Sequence, residues 1–387
     1  MKQWIPLAGL MLAAFIFNTS EFIPIGLLSD IAADFGISES HAGMMITIYA
    51  WVVAIASLPL MLVFARTESK KLMLSIVALF VASHVLSGVS TSFNMLMLSR
   101  IGVACSHAIF WSIVTPLAVR MAPEGRSATA LSLIVSGSSF AMIVGLPLGR
   151  TIGLHVGWRT TFLIIAAVAV LVFALLAVTL RRLPDESKFS LRKLPLLLKS
   201  PGLRALYLLT LVAITGHFTG YSYVEPFLAQ VAGMDGGGIT MVLTLFGVVG
   251  LVGSVIFSKC YDRHQAAFIV YAVAGIGVCL LLLRPAAGAV WTTVLLCVFW
   301  GFAICCYNLS FQSKVMQLAP EGTAVAMSIY SGIYNVGIGA GALVGGSVCD
   351  GPGLQYVGCI GGGIALTAAI YCLAKGLPLL AGKAEPR

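Results

Sequence analysis

The sequence predicts an all-α polytopic membrane protein, with twelve transmembrane helices in two six-helix bundles. Three observations carry this expectation. Apolar residues make up 59% of the chain and charged residues only 10%, against roughly 25% charge in soluble domains. Apolar runs of about 20 residues, the length that crosses a bilayer, recur from end to end. The string Ala-Pro-Glu-Gly occurs twice, at 122–125 and 319–322, and self-similarity at so long a period points to duplication.

The apolar runs fall at 5–28, 42–64, 72–89, 95–119, 128–149, 159–180, 204–228, 239–258, 266–284, 290–313, 324–348 and 355–374. A transmembrane barrel would show alternating segments of about ten residues instead. Backbone groups in lipid must be paired within the segment, so these runs are expected to be helices. The first run exceeds the roughly 7–15 apolar residues of a secretory signal and is read as a span. Trp4 and Trp158 flank spans, where indole rings suit the interface.

Charge orients the spans. With both termini cytoplasmic, every Lys and Arg lies on the inner side except Arg100, Arg150, Arg159 and Arg284, as the positive-inside rule requires. The net charge of +9 is thereby assigned to orientation and lipid contact. No basic face interleaved with aromatics marks a nucleic-acid site. The nine cysteines form no Cys-x-x-Cys pair or spaced Cys/His set, so neither metal nor cofactor is expected, and the thiols read as small packing residues.

Both Ala-Pro-Glu-Gly turns sit between the fourth and fifth spans of a six-span unit. Their Pro and Gly end one helix and open the next. An even number of spans separates them, so the halves share one orientation, as in a parallel repeat. The long polar segment "RRLPDESKFSLRKLPLLLKSPGLR" reads as a basic cytoplasmic linker. The expected units are an N-terminal bundle at 1–180, a linker at 181–203 and a C-terminal bundle at 204–387.

Particular strings narrow the reading. They are "FIFNTSEFIPIGLLSDIA" in the first span, "TIYAWVVAI" in the second, "SRIGVACSHAIFWSI" in the fourth, and "GLPLGR" and "GWR" around the fifth and sixth. With the duplicated six-span plan they resemble the major facilitator superfamily, specifically the bacterial sugar efflux transporters of its drug:proton antiporter branch. The resemblance implies the major facilitator fold, a bacterial inner-membrane location and proton-driven export of sugars or sugar analogues. Export of drugs or antibiotics by the same antiport is the alternative. It also implies coupling roles for the acid of the first span, Glu21, and the Arg of the fourth, Arg100. The fifth-span antiporter signature is present as Gly137, Gly145, Pro147 and Gly149. A bend and close packing at Gly145, Pro147 and Gly149 would serve gating. The family's loop between spans 2 and 3 is reduced here to "VFARTESKKLML", of which only Lys70 and Lys71 match. Asp262 and Arg263, in the equivalent second-half loop, retain more of that pattern and are taken as gating candidates.

The residues give an independent argument. A charge at the bilayer centre costs about 2.5–3.5 kcal/mol on translocon scales, so internal charges mark function. Only Glu21 and Glu225 among fourteen acids fall within the predicted spans. Helical rise places Glu21 about 6 Å and Arg100 about 10 Å from their span midpoints, toward the same side. They are expected to face each other. Glu225, before Pro226, is a helix-end residue or a secondary candidate. His107 and His217 lie near mid-membrane, where transporter sites form.

A sugar needs hydrogen-bond partners for its hydroxyls and rings for its apolar face. Asn18, Thr19, His107, His217, Asn308, Gln312 and Asn335 supply the former; Tyr49, Trp111 and Tyr221 the latter. Asn18 and Glu21 share a helix face, as do Asn308 and Gln312. The expected partners are a small-molecule sugar, protons and membrane lipids, for a monomer. "GIGAGALVGG", 337–346, follows no strand and reads as close helix packing rather than a dinucleotide turn. No Gly-x-Ser-x-Gly, His-Glu-x-x-His or paired membrane aspartates argue for an enzyme.

Overall fold

The computed structural model describes residues 4–64, 67–124, 126–181, 199–320 and 323–380. Most of the expected linker, and Gly125, Glu321 and Gly322 of the repeated turns, lie outside the described residues. Twelve helices among the described residues are long and apolar enough to cross a membrane. They are α1 Ile5–Gly26, α2 Glu39–Ser57, α3 Ser69–Gly88, α4 Phe93–Met121, α5 Thr129–Val156, α6 Trp158–Thr179, α7 Pro201–Tyr221, α8 Gly236–Phe257, α9 Arg263–Leu281, α10 Val290–Leu318, α11 Val325–Asp350 and α12 Leu354–Leu380.

Local chemistry sets several boundaries. The Ser92 hydroxyl accepts from the Met95 amide to start α4, and Ser200 accepts from Leu203 to start α7, with Pro201 at the first helical position. The Asp235 carboxylate accepts from the Gly238 amide at 2.8 Å to start α8. Each satisfies an orphan donor of a first turn. Gly157 turns α5 into α6 at φ 102°, a backbone region that side chains avoid.

Several boundaries differ from the sequence expectation, and three of them bear on candidate residues. α5 continues to Val156, passing Pro147 through a π-helical turn at Ala141–Gly145. The seventh span stops at Tyr221, before a separate short turn, Val224–Pro226. Glu225 is therefore beyond the span rather than inside it, and it is buried. No open loop separates α8 from α9. The helix runs Gly236–Leu281, with His264 alone in a non-helical conformation. Asp262 and Arg263 thus lie on helix beside a kink; their charge signalled the end of an apolar run, which a helix outside lipid need not obey.

The chain divides into two compact units, Met1–Ile37 with Trp51–Phe189, and Ser38–Ala50 with Ser190–Arg387. The first part of α2 thus clusters with the second unit. In the first unit α1 packs on α5 and α6, and α3 on α4 and α6. The second unit repeats these pairings, with α7 on α11 and α12. Register repeats as well. Gly145 abuts Thr19 and Gly149 abuts Ile23; Gly341 abuts Thr215 and Gly345 abuts Thr219. The offset between partners is identical in the two units. The glycine-rich run of α11 is therefore a packing face, as small residues are used where membrane helices approach closely.

Candidate functional site

Glu21 sits in the last third of α1, where apolar neighbours keep the helix in the bilayer but one face turns to α4. Its Oε2 lies 3.7 Å from His107 Nε2, and the Glu21 side chain keeps 14% exposure. Arg100, two helical turns before His107 on α4, is 1% exposed. Its Nη1 donates to the Ser20 carbonyl oxygen at 3.2 Å and is 3.4 Å from the Ser20 hydroxyl. The guanidinium is thus anchored on the residue preceding Glu21, within electrostatic reach of the carboxylate. Carboxylate, imidazole and guanidinium form one cluster inside the first unit.

The cluster stands on aromatic packing. Phe17, one turn before Glu21, is stacked between Phe80 and Phe110 with ring centroids 4.1 Å from each. Trp111, half-buried and one turn after His107, lies 6.1 Å from the imidazole. Asn18 donates to the Ser138 hydroxyl of α5 at 2.7 Å and to the Ala14 carbonyl at 3.2 Å. Its amide nitrogen thus both holds α1 to α5 and returns to the backbone of α1. The Thr19 hydroxyl returns to the Phe15 carbonyl at 2.8 Å and lies against Gly145. Ser138 and Ser20 escaped sequence reasoning, because serines in α-helices are too common to single out.

Arg150, 2% exposed, donates to the Gly26 carbonyl, where α1 ends. Burial raises the Asp30 carboxyl above its ordinary range, with the Arg150 charge and a backbone N–H opposing. Arg159 pairs with Asp34 at 2.7 Å and covers the Trp158 ring at 4.3 Å. Trp158 is itself buried, so it is a packing residue rather than the interfacial anchor its position implied.

In the second unit Trp300 Nε1 donates to His217 Nδ1 at 3.1 Å. Tyr221 stacks on His217 with centroids 5.1 Å apart, and Phe246 packs edge-on to Trp300. His217 and Tyr221 are therefore buried in an aromatic nest. Asn335 is also buried, its amide donating to the Ser331 carbonyl at 3.0 Å. By contrast Asn308 is half-buried and Gln312 exposed on α10. Tyr49 falls in the stretch of α2 that clusters with this unit and is buried. Near it, the Tyr223 hydroxyl donates to the Ala342 carbonyl at 3.0 Å and fills the space over Gly43. Gln230 donates to Glu39 at 2.6 Å. These contacts fasten the start of α2 to α11 and to the segment that follows α7.

Twelve spans in two units of repeated pairing, with a charged cluster held inside one of them, are the build of a multi-pass membrane transporter. The sequence model of the Major Facilitator Superfamily matches residues 10–326, and the chain belongs to that family. Among solved structures it is similar to a bacterial homolog of the human lysosomal transporter Spinster in an inward-facing, occupied conformation. Identity there is 16%, coverage 98% of both chains and the TM-score 0.77. It is also similar to a POT family transporter in complex with 5-aminolevulinic acid, at 13% identity, 97% and 96% coverage and a TM-score of 0.79. At such identities the likeness is one of fold.

Proposed function

We propose that this transporter is a proton antiporter that exports sugars or sugar analogues by alternating access. Its termini are assigned to the cytoplasm of a bacterial inner membrane. The observation that carries proton coupling is the Glu21–His107–Arg100 cluster: an ionisable carboxylate inside a span, with an imidazole and a fixed cation beside it. Protonation of Glu21 removes a negative charge within electrostatic reach of Arg100 and biases the bundle toward another conformation, which requires only that the two states bind the proton unequally. The charge distribution supports the orientation. Gly145, Pro147 and Gly149, beside the π-helical turn, are assigned to gating, as are Asp262 and Arg263 beside the His264 kink.

Support for a sugar is the set of neutral polar side chains. Asn308 and Gln312 remain accessible on α10, and Trp111 offers a half-buried ring. Multidrug efflux is the second reading, favoured by the nest of Tyr221, Phe218, Phe246 and Trp300. Asn308→Ala separates the two. Losing one side of a hydrogen-bonded sugar contact costs about 1–3 kcal/mol, so sugar binding should weaken roughly 5–150-fold. Binding of a lipophilic cation, held by apolar contact, should change far less. Calorimetric titration of the purified protein makes the comparison; unchanged sugar affinity in this variant would remove Asn308 from the site. Asn18→Ala is the less clean variant, because it also breaks the Ser138 contact.

Arg100→Ala tests the coupling geometry. Without its cation the carboxylate loses the partner that favours its charged form, so the transport optimum should move to higher pH. Rates in proteoliposomes across pH 5–9 decide this. A profile superimposable on wild type would show that Arg100 only braces the Ser20 backbone.

A further inference from the structure

The shortened loop before α3 keeps two lysines whose use the transport cycle does not explain. Lys70 reaches across to α6, donating to the Ala177 and Leu180 carbonyls at 2.7 and 2.8 Å. It thereby caps a helix C-terminus, where a cation suits the dipole. An ammonium has three donors, and two are spent there. Lys71, next on the helix, is exposed.

Between α3 and α6 runs an open groove of about 370 Å³, lined by Glu68, Lys70, Lys71, Leu74, Ser75, Ala78 and Phe173. Lys71, Leu74, Ser75 and Ala78 recur at helical spacing and form a single strip of α3. The strip runs from charged to apolar over about 10 Å. Its mouth lies at the end of a membrane span and its floor, Leu74, Ala78 and the Phe173 ring, lies at membrane depth. Among the described lining residues Glu68 opposes the two lysines, which leaves one net positive charge at the mouth. Only an amphiphile with one negative charge at its head and a hydrocarbon chain matches both ends. Free phosphate would leave the floor uncovered, and a neutral lipid would leave the charge unbalanced.

We propose that this groove holds an anionic phospholipid, with its phosphodiester on Lys71 and the remaining donor of Lys70, and an acyl chain along Leu74, Ala78 and Phe173.

Native mass spectrometry of the full-length protein tests this, with dioleoyl phosphatidylglycerol, phosphatidylethanolamine and phosphatidylcholine added in turn to delipidated protein in detergent. One phosphatidylglycerol should be retained in preference to the other two. Lys71→Gln should weaken its retention about fivefold, the effect of one lysine at an anionic lipid surface, and Lys71→Arg should restore it. Lys375→Gln, an exposed basic residue on α12 outside the groove, should have no effect. Phe173→Ala should weaken retention without changing headgroup preference. Glycerol 3-phosphate, a headgroup without chains, should not displace the lipid. Equal or better retention of phosphatidylethanolamine, equal losses in Lys71→Gln and Lys375→Gln, or displacement by glycerol 3-phosphate would each overturn the proposal. Lys71 and Lys375 are both exposed, so loss of folding does not obscure the comparison. The outcome is independent of what the transporter carries.

Discussion

Glu21→Gln is expected to abolish substrate accumulation driven by a pH gradient while sparing substrate exchange between two equal pools. The amide has the shape of the protonated acid and no charge. It therefore mimics one of the two states that a coupled cycle must visit and cannot reach the other. A pH difference of one unit is worth about 1.4 kcal/mol per proton and supports about tenfold accumulation per proton exchanged. An uncoupled protein stops at equal concentrations. Proteoliposomes with an imposed pH step measure this end point, and counterflow of labelled substrate measures the retained exchange. The geometry makes the effect specific. Glu21 Oε2 is 3.7 Å from His107 Nε2, and Arg100 is held on the neighbouring Ser20 carbonyl, so the substitution removes charge without removing either neighbour. Tenfold accumulation by the variant would take Glu21 out of the coupling mechanism and leave the cluster a structural one.

The twelve spans and the duplication were legible because both rest on quantities that sequence carries directly, the length of apolar runs and the position of Pro, Gly and basic residues. The two Ala-Pro-Glu-Gly turns needed no structure to place them at the same point of each half. What failed were features decided by where a backbone carbonyl goes. In the run "GYSYVEPFLAQV" Glu225 and Pro226 mark a helix end, but the helix breaks earlier, after Tyr221, where no Pro or charge stands. Arg150 ended the apolar run of the fifth span, yet it folds back onto the Gly26 carbonyl and the helix continues past it. Depth along a helix placed Glu21, His107 and Arg100 at neighbouring heights. Which of them touch was decided by side-chain reach: the long guanidinium takes a backbone oxygen, and the shorter imidazole comes nearest the carboxylate. The candidates on α7 were chosen as rings and hydrogen-bonding groups. That His217 is satisfied by Trp300 is a fact about two helices far apart in sequence, and a single sequence does not carry it.

The paired glycine faces make a second large effect, and an asymmetric one. A methyl group placed at Gly341 would lie 2.5 Å from the Thr215 carbonyl oxygen and 2.9 Å from the Thr219 nitrogen, with Phe218 Cβ at 2.8 Å. All three belong to the backbone or its first side-chain carbon, so none can turn away, and α7 and α11 must separate. At Gly149, one turn along the matching seam of the first unit, the added methyl would meet the terminal Cδ1 of Ile23, which can rotate to another staggered well. Gly341→Ala should therefore cost about 1–3 kcal/mol or more, the usual range for overpacking, and Gly149→Ala clearly less. The loss at Gly341 reaches further than stability. The same seam carries Gly345 against Thr219 and Tyr223, and Tyr223 holds the start of α2 through Gly43 and the Ala342 carbonyl. Spreading the seam loosens that fastening. Thermal unfolding of the two detergent-solubilised variants, followed by tryptophan fluorescence, should show a much larger drop in midpoint for Gly341→Ala. Thiol labelling of a Ser40→Cys probe should become faster in that background, since Ser40 of α2 packs against Gly346 of α11. Equal stability losses at Gly341 and Gly149 would mean that the α7–α11 seam yields as easily as a side-chain tip, and that its close approach is not what holds the second unit together.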